Sequence, residues 1–220
     1  MTRNTTLSVA WLMICSTVPT THAFFNSMPY EYVTNKEYTL QNPHELFIEN
    51  LDGNISVIQG NQKNKVKVAA TKRANKEDDL PDIEILGEVK NNSVHLRTKH
   101  DKDVRAAVDY TITMPADMAL HVATGDGTIT IQQIKGKITA VTKNGDIQLN
   151  GTKGVVEATT KKTGSIEITQ PMGPVHLTTN KGSITVNNAR QSVIADTTNG
   201  DIELFCEKVP AKSKLKLTAA

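Results

Sequence analysis

Between residues 119 and 204 apolar and polar residues alternate in short phrases that return at almost fixed intervals. One phrase is Gly, a small polar residue, Ile, any residue and an aliphatic. It reads Gly127-Thr-Ile129-Thr-Ile131, Gly145-Asp-Ile147-Gln-Leu149, Gly164-Ser-Ile166-Glu-Ile168, Gly182-Ser-Ile184-Thr-Val186 and Gly200-Asp-Ile202-Glu-Leu204. The glycines lie 18, 19, 18 and 18 residues apart. A second phrase precedes each glycine: Leu120-His-Val122-Ala-Thr124, Ile138-Thr-Ala140-Val-Thr142, Val156-Glu-Ala158-Thr-Thr160, Val175-His-Leu177-Thr-Thr179 and Val193-Ile-Ala195-Asp-Thr197. Strict alternation is the signature of a half-buried strand, and Ile, Val and Thr suit a pleated surface. The links between phrases carry Asn-Gly, Lys-Gly and Thr-Gly, which tolerate the backbone of a tight turn.

A fixed period near twenty means stacked supersecondary units. The pattern therefore predicts an all-β solenoid, a β-helix-like stack with coils of about 18 residues, each coil being strand, short turn, strand, longer turn. Stacking at about 4.8 Å would align Ile129, Ile147, Ile166, Ile184 and Ile202 as one inward ladder. Ile131, Leu149, Ile168, Val186 and Leu204 would form the next. Asp146, Gln148, Ser165, Glu167, Asp201 and Glu203 would face water. The extra residue of the 19-residue coil, between Ala158 and Gly164, is expected in the turn, because inside a strand it would flip the register. The alternative is an antiparallel β-sandwich of hairpins, which also gives short strands and glycine turns. Sandwich sequences seldom repeat the same words at the same spacing.

These Gly-[Asp/Ser]-Ile repeats follow the segment Val108-Asp-Tyr110-Thr-Ile112-Thr-Met-Pro115. Together they resemble the bacterial putative-adhesin domains of unknown function, β-strand-repeat domains related to the auto-transporter adhesin head type. The resemblance runs from about residue 44 to the end of the chain. It implies a β-helical repeat domain on the cell-envelope side, and it brings no catalytic residues with it.

The N-terminus reads differently. Arg3 is the only charge in residues 1–23, Leu7 to Val18 is an apolar run, and Pro19 precedes Thr21-His-Ala23. That is the pattern of a secretory signal peptide cleaved after Ala23. The run is too short for a membrane span, which needs about twenty residues, so no transmembrane helix is expected after cleavage. A lipoprotein signal around Leu12-Met-Ile-Cys15 is disfavoured by the bulky Ile14. Residues 24–43 hold Phe24, Phe25, Tyr30, Tyr32 and Tyr38 and are expected as an N-terminal leader that packs over the end of the stack. A single β-repeat domain then fills 44–220: an irregular half over 44–118, the regular repeats over 119–204 and a C-terminal cap over 205–220. In the irregular half, Leu46-Phe-Ile48 and Leu51-Asp-Gly53-Asn-Ile55-Ser-Val57 echo the later phrases. Residues 71–82 and Lys99-His-Asp-Lys-Asp103 are expected as charged loops.

Composition narrows the chemistry. Without Arg3 the chain keeps 24 Lys and Arg against 23 Asp and Glu, a net charge near +1, which gives no basic face for nucleic acid. Cleavage removes Cys15 and leaves Cys206 without an intrachain partner, expected as an inert buried thiol. His44, His95, His100, His121 and His176 show no metal-ligand spacing, and the last two fall at outward strand positions. A carbohydrate-active enzyme on a β-helix would need carboxylates at set separations, and Asp146, Glu167, Asp201 and Glu203 could lie along one sheet. Between Thr111 and Leu204, however, there is no aromatic residue to serve as a sugar platform. The glycine-aspartate pairs lack the nonapeptide period of calcium-binding rolls, and Asp, Ser or Thr after glycine is expected to bond its own turn. Thr142, Thr160, Thr179 and Thr197 invite an ice-binding array, but neighbouring outward positions mix Asp, Glu, Lys and Gln. The expectation is a non-enzymatic binding or structural scaffold, periplasmic, secreted or on the cell surface. It has no catalytic, cofactor-binding or metal residues and needs no cofactor. Its partner is an unknown envelope protein or polymer.

Overall fold

A computed structural model describes residues 28–101, 103–206 and 214–219. The expected signal peptide (1–23), residues 24–27 of the expected leader, Lys102, and residues 207–213 and 220 of the expected cap lie outside the described residues. Among the described residues eighteen strands, numbered along the chain, form two nine-stranded sheets. Sheet A runs β1 (Tyr30–Thr39), β4 (Lys65–Ala74), β7 (Ala106–Met114), β3 (Ile55–Gln59), β9 (Ile129–Gln132), β11 (Ile147–Asn150), β13 (Ile166–Thr169), β15 (Ile184–Asn187), β17 (Ile202–Phe205). Sheet B runs β18 (Leu215–Ala219), β16 (Val193–Asn199), β14 (Val175–Lys181), β12 (Val156–Thr163), β10 (Ile138–Asn144), β8 (Ala119–Asp126), β2 (Glu45–Glu49), β6 (Ser93–Lys99), β5 (Glu84–Lys90).

The fold is a β-solenoid of stacked coils with parallel, in-register strands. Each glycine phrase is a rung of sheet A and each upstream phrase a rung of sheet B. Ile147 faces Ile129 on one side and Ile166 on the other, and Ala140 sits between Val122 and Ala158. The two ladders expected to point inward do so: Ile129, Ile131, Ile147, Ile166, Ile168, Ile184 and Val186 are fully buried. Ile202 and Leu204, on the last rung of sheet A, are only half-buried. The echo in the irregular half is a true rung as well, because β2 and β3 pair in register with β8 and β9. What is irregular is the end beyond them. There the strands turn antiparallel, as β1–β4–β7 in sheet A and as the β5–β6 hairpin in sheet B. That hairpin turns through Asn91 and Asn92, both at positive φ (50° and 58°), where asparagine is tolerated better than most residues. Tyr110 of β7 closes this end from inside. It is buried, its hydroxyl lies 2.8 Å from Thr98 Oγ1 of β6, and burial pushes its phenol up to about 12.

Two expectations about the turns are corrected. Asp146 and Ser165, the small polar residues after Gly145 and Gly164, bond the next coil rather than their own turn: Asp146 Oδ1 accepts the Ser165 N–H at 2.8 Å, and Ser165 Oγ accepts the Ser183 N–H at 3.2 Å. The extra residue of the long coil is not in the turn. It sits as a bulge between Thr160 and Thr163 at the end of β12, where the inward set of Val156, Ala158 and Thr160 is already complete. The threonines closing each upstream phrase point inward. Thr124, Thr142, Thr160, Thr179 and Thr197 are buried, two positions beyond an inward Val, Ala or Leu. Their hydroxyls donate to the glycine carbonyls at the corner, as in Thr142 to Gly127 (3.1 Å), Thr179 to Gly164 (2.8 Å) and Thr197 to Gly182 (3.0 Å). A buried carbonyl without a partner would cost about 1–3 kcal/mol, so this ladder keeps the corner closed.

At the opposite corner Thr152 is fully buried, and among the described residues its Oγ1 has no hydrogen-bond partner. Valine has nearly the same shape without the hydroxyl. Thr152→Val is therefore expected to stabilise the protein by about 1 kcal/mol, read as a rise of roughly 2–4 °C in Tm by calorimetry. A fall in Tm would mean the hydroxyl is satisfied.

Candidate functional site

The outer face of sheet B is built from the residues between the inward ones. In β2, β6 and β8 the middle positions of three equivalent phrases are Phe47, His95 and His121, and the parallel register sets them side by side. Rung spacing then forces their rings into a stack. Phe47 lies 4.5 Å from His95 at 4° and 4.7 Å from His121 at 8°. Two residues further along, the Arg97 guanidinium of β6 pairs with the Glu49 carboxylate of β2, with Nε to Oε2 at 2.7 Å.

This ion pair is the divide between two depressions. On the aromatic side a hollow of about 420 Å³ runs over Phe47 and His95 against Leu86, Gly87 and Glu88 of β5. On the other side a larger cavity of about 650 Å³ lies between the ends of β2 and β6 and the chain entering β5. Its floor is Asn50, Thr98 and His100, the first two buried and the third half-buried. Its rim carries Asp82, Glu84 and Asp101, all exposed. Both depressions sit at the antiparallel end, where the stack stops repeating and the chain is free to diverge.

The residues weighed from the sequence disperse. His44 is exposed near Glu45, His176 faces outward with Nε2 3.8 Å from Asp196, and His95 and His121 join the ring stack. His100 and Asp101 of the charged loop line the larger cavity. The four carboxylates of the enzyme reading do not share one row. Glu167 and Glu203 stand on the strand face of sheet A with Thr185 between them, while Asp146 and Asp201 lie on the glycine turns. None of the four lines either depression. Cys206 is half-buried rather than fully buried, with Sγ 4.0 Å from the Ala189 carbonyl. Among the described residues, no group of three His, Cys, Asp or Glu side chains is placed to hold a metal ion, and no helix is long and apolar enough to cross a membrane.

Fold and surface thus define a parallel β-solenoid with two open depressions at its antiparallel end. No family model matches the sequence, and no curated protein matches it. Several solved structures resemble it. One is described as a putative cell adhesion protein from Clostridium sporogenes, at 11% identity over 87% of this chain and 100% of that chain, with a TM-score of 0.28. A putative adhesin from Bacteroides fragilis has 14% identity over 87% of this chain and 99% of its own, with a TM-score of 0.36. A putative adhesin from Parabacteroides distasonis has 13% identity over 86% and 97%, with a TM-score of 0.27. Likeness this distant transfers no role to the present chain.

Proposed function

We propose that the protein is a non-enzymatic, adhesin-like scaffold of the bacterial envelope, exported through the segment 1–23 and binding an envelope polymer or protein through its strand surfaces. The observation that supports this most is the pair of depressions over β2, β6 and β5. They gather Phe47 and His95 of the ring stack and the Arg97–Glu49 ion pair on strands fixed by their neighbours, with Asn50 and His100 just past the strand ends, which is how a preformed binding site is built. The rest of the stack offers flat rows, such as Ser56, Thr130, Gln148, Glu167, Thr185 and Glu203 across sheet A, suited to extended contact. Asp146, Glu167, Asp201 and Glu203, the carboxylates weighed for bond chemistry, line neither depression.

The test is sedimentation of the purified protein with intact bacterial cells and with isolated cell-wall sacculi, assaying the supernatant for released sugar and peptide fragments. The proposal expects the protein in the pellet of at least one of the two, with no fragments released. A protein that stays in the supernatant with both would refute the binding role. Fragments accumulating with time would instead support a carbohydrate-active enzyme.

A further inference from the structure

The floor of the larger cavity holds two acceptor atoms that no donor meets among the described residues. Asn50 is only 7% exposed, and its Nδ2 donates to the carbonyls of Asp52 (3.0 Å), Gly53 (3.4 Å) and Val108 (2.8 Å). Carbonyls only accept, so the amide cannot be flipped, and Oδ1 is left as a buried acceptor with no partner among the described residues. Beside it on the floor, His100 Nδ1 lies 2.9 Å from the Asp101 carbonyl, which places the ring proton on Nδ1. Nε2 of the neutral ring is then a second buried acceptor, again without a partner. Buried polar groups are nearly always satisfied, so two such acceptors lining one cavity mark a missing donor.

Charge points the same way. Among the described residues, four carboxylates (Glu49, Asp82, Glu84, Asp101) line the cavity with two cationic side chains, Arg97 and Lys99. Arg97 is committed to Glu49. Asp82, Glu84 and Asp101 form no salt bridge among the described residues. A bare metal ion does not fit this arrangement, because no three of these groups are placed to share one. Acceptors spread over floor and rim suit instead a charged group that carries several N–H donors on an extended body.

We propose that this cavity binds an organic cation, an alkylammonium group that donates to Asn50 Oδ1 and His100 Nε2 and is held by the carboxylates of Asp82, Glu84 and Asp101. The proposal rests on the binding role above and names the ligand class of this site. Such a group could be a lysine-type side chain of a partner or peptide cross-bridge, or a free amine, which share one chemistry.

The experiment is a titration of the 15N-labelled protein with cadaverine, with 1,5-pentanediol as neutral isostere and calcium as inorganic cation. Cadaverine is expected to shift the Asn50 side-chain amide and the backbone amides of Leu51 and Asp101 in a saturable manner, and pentanediol to leave them in place. Asp82→Asn combined with Glu84→Gln, two exposed changes that leave the core untouched, should weaken cadaverine binding roughly threefold to tenfold. His100→Leu should weaken it as well, by removing the Nε2 acceptor. Absence of shifts, shifts spread over distant carboxylates such as Glu167 and Glu203, or a tighter response to calcium at the same amides would each overturn the proposal. To separate the sources, a lysine-terminated peptide is titrated beside the free diamine. Tighter binding of the peptide assigns the site to a partner's side chain, and tighter binding of the diamine assigns it to a free amine. If cadaverine fails while the protein still sediments with cells or sacculi, the cation site falls and the binding role stands. If cadaverine binds while sedimentation fails, the envelope role falls alone.

Discussion

Gly164→Ala is expected to destabilise the protein by about 3 kcal/mol or more, a loss of roughly 6 °C or more in Tm for a chain of this size. Two costs coincide at this position. The backbone has φ +141°, which side-chain-bearing residues rarely adopt, and an added Cβ would lie 1.9 Å from the Gly145 carbonyl oxygen of the preceding coil. That oxygen is backbone and cannot step aside unless the two coils separate, which would strain the bonds that join them, Gly145 N–H to Thr163 O (2.9 Å) and Ile147 N–H to Ser165 O (3.0 Å). The same clash recurs up the stack at Gly145 and Gly182, so glycine is required there by the closeness of successive coils as much as by the turn. Gly151→Asn is the contrast. Gly151 also has positive φ (+64°), but its nearest neighbour would be 3.7 Å away, and Gln133, Gln170 and Asn188 hold the equivalent corner at φ between 54° and 59°. That change should leave Tm within about 1–2 °C of the parent. Calorimetry on the two variants reads the difference directly. Equal losses would mean that turn conformation alone, and not coil spacing, fixes these glycines.

Much of this architecture was legible in the sequence because a solenoid repeats its reasons. The spacing of Gly127, Gly145, Gly164, Gly182 and Gly200 gave the coil length. The parity of Ile166 and Ile168 against Glu167 gave the inward face. The same parity rule, carried two residues further along Val156-Glu-Ala158-Thr-Thr160, places Thr160 inside, so the buried threonine ladder could have been found from the pattern. It was obscured because threonine is as common on exposed strand faces as in buried rows. The partners of Asp146 and Ser165 were not legible, since bonding to the next coil depends on how closely the coils approach.

The candidate site shows the same division. Phe47, His95 and His121 occupy the middle of Leu46-Phe-Ile48, Val94-His-Leu96 and Leu120-His-Val122, so their common row was encoded in three phrases. What the phrases do not contain is the strand order that makes β6 and β8 the two neighbours of β2. The cavity over Asn50 was hidden for a stronger reason. It joins residues 49–51, 81–84 and 97–101 through the antiparallel closure, and no period connects those segments. Lys99-His-Asp-Lys-Asp103 reads as a solvated loop, and its Lys99, Asp101 and Asp103 are exposed. Only the unpartnered His100 Nε2 marks it as more than that.

The most direct test of the account is the stability of Ile166→Asn beside Glu167→Asn, measured by denaturant unfolding. The two residues are adjacent on β13, in the middle of the stack, and differ in which way they face: Ile166 is 0% exposed and Glu167 is exposed. Asparagine at 166 forfeits about 2–3 kcal/mol of apolar burial and leaves an amide among Ile147, Ile184 and the facing sheet, where missing hydrogen bonds add about 1–3 kcal/mol. A total near 4–5 kcal/mol is a large share of the 5–15 kcal/mol that holds a typical domain, so this variant is expected to unfold or to lose most of its denaturant midpoint. Asparagine at 167 exchanges one solvated polar side chain for another and should stay within about 0.5 kcal/mol of the parent. The account predicts that wide separation between neighbouring positions. Comparable losses at both, or a larger loss at 167, would contradict the inward ladder and with it the parallel stack on which the binding surface is built.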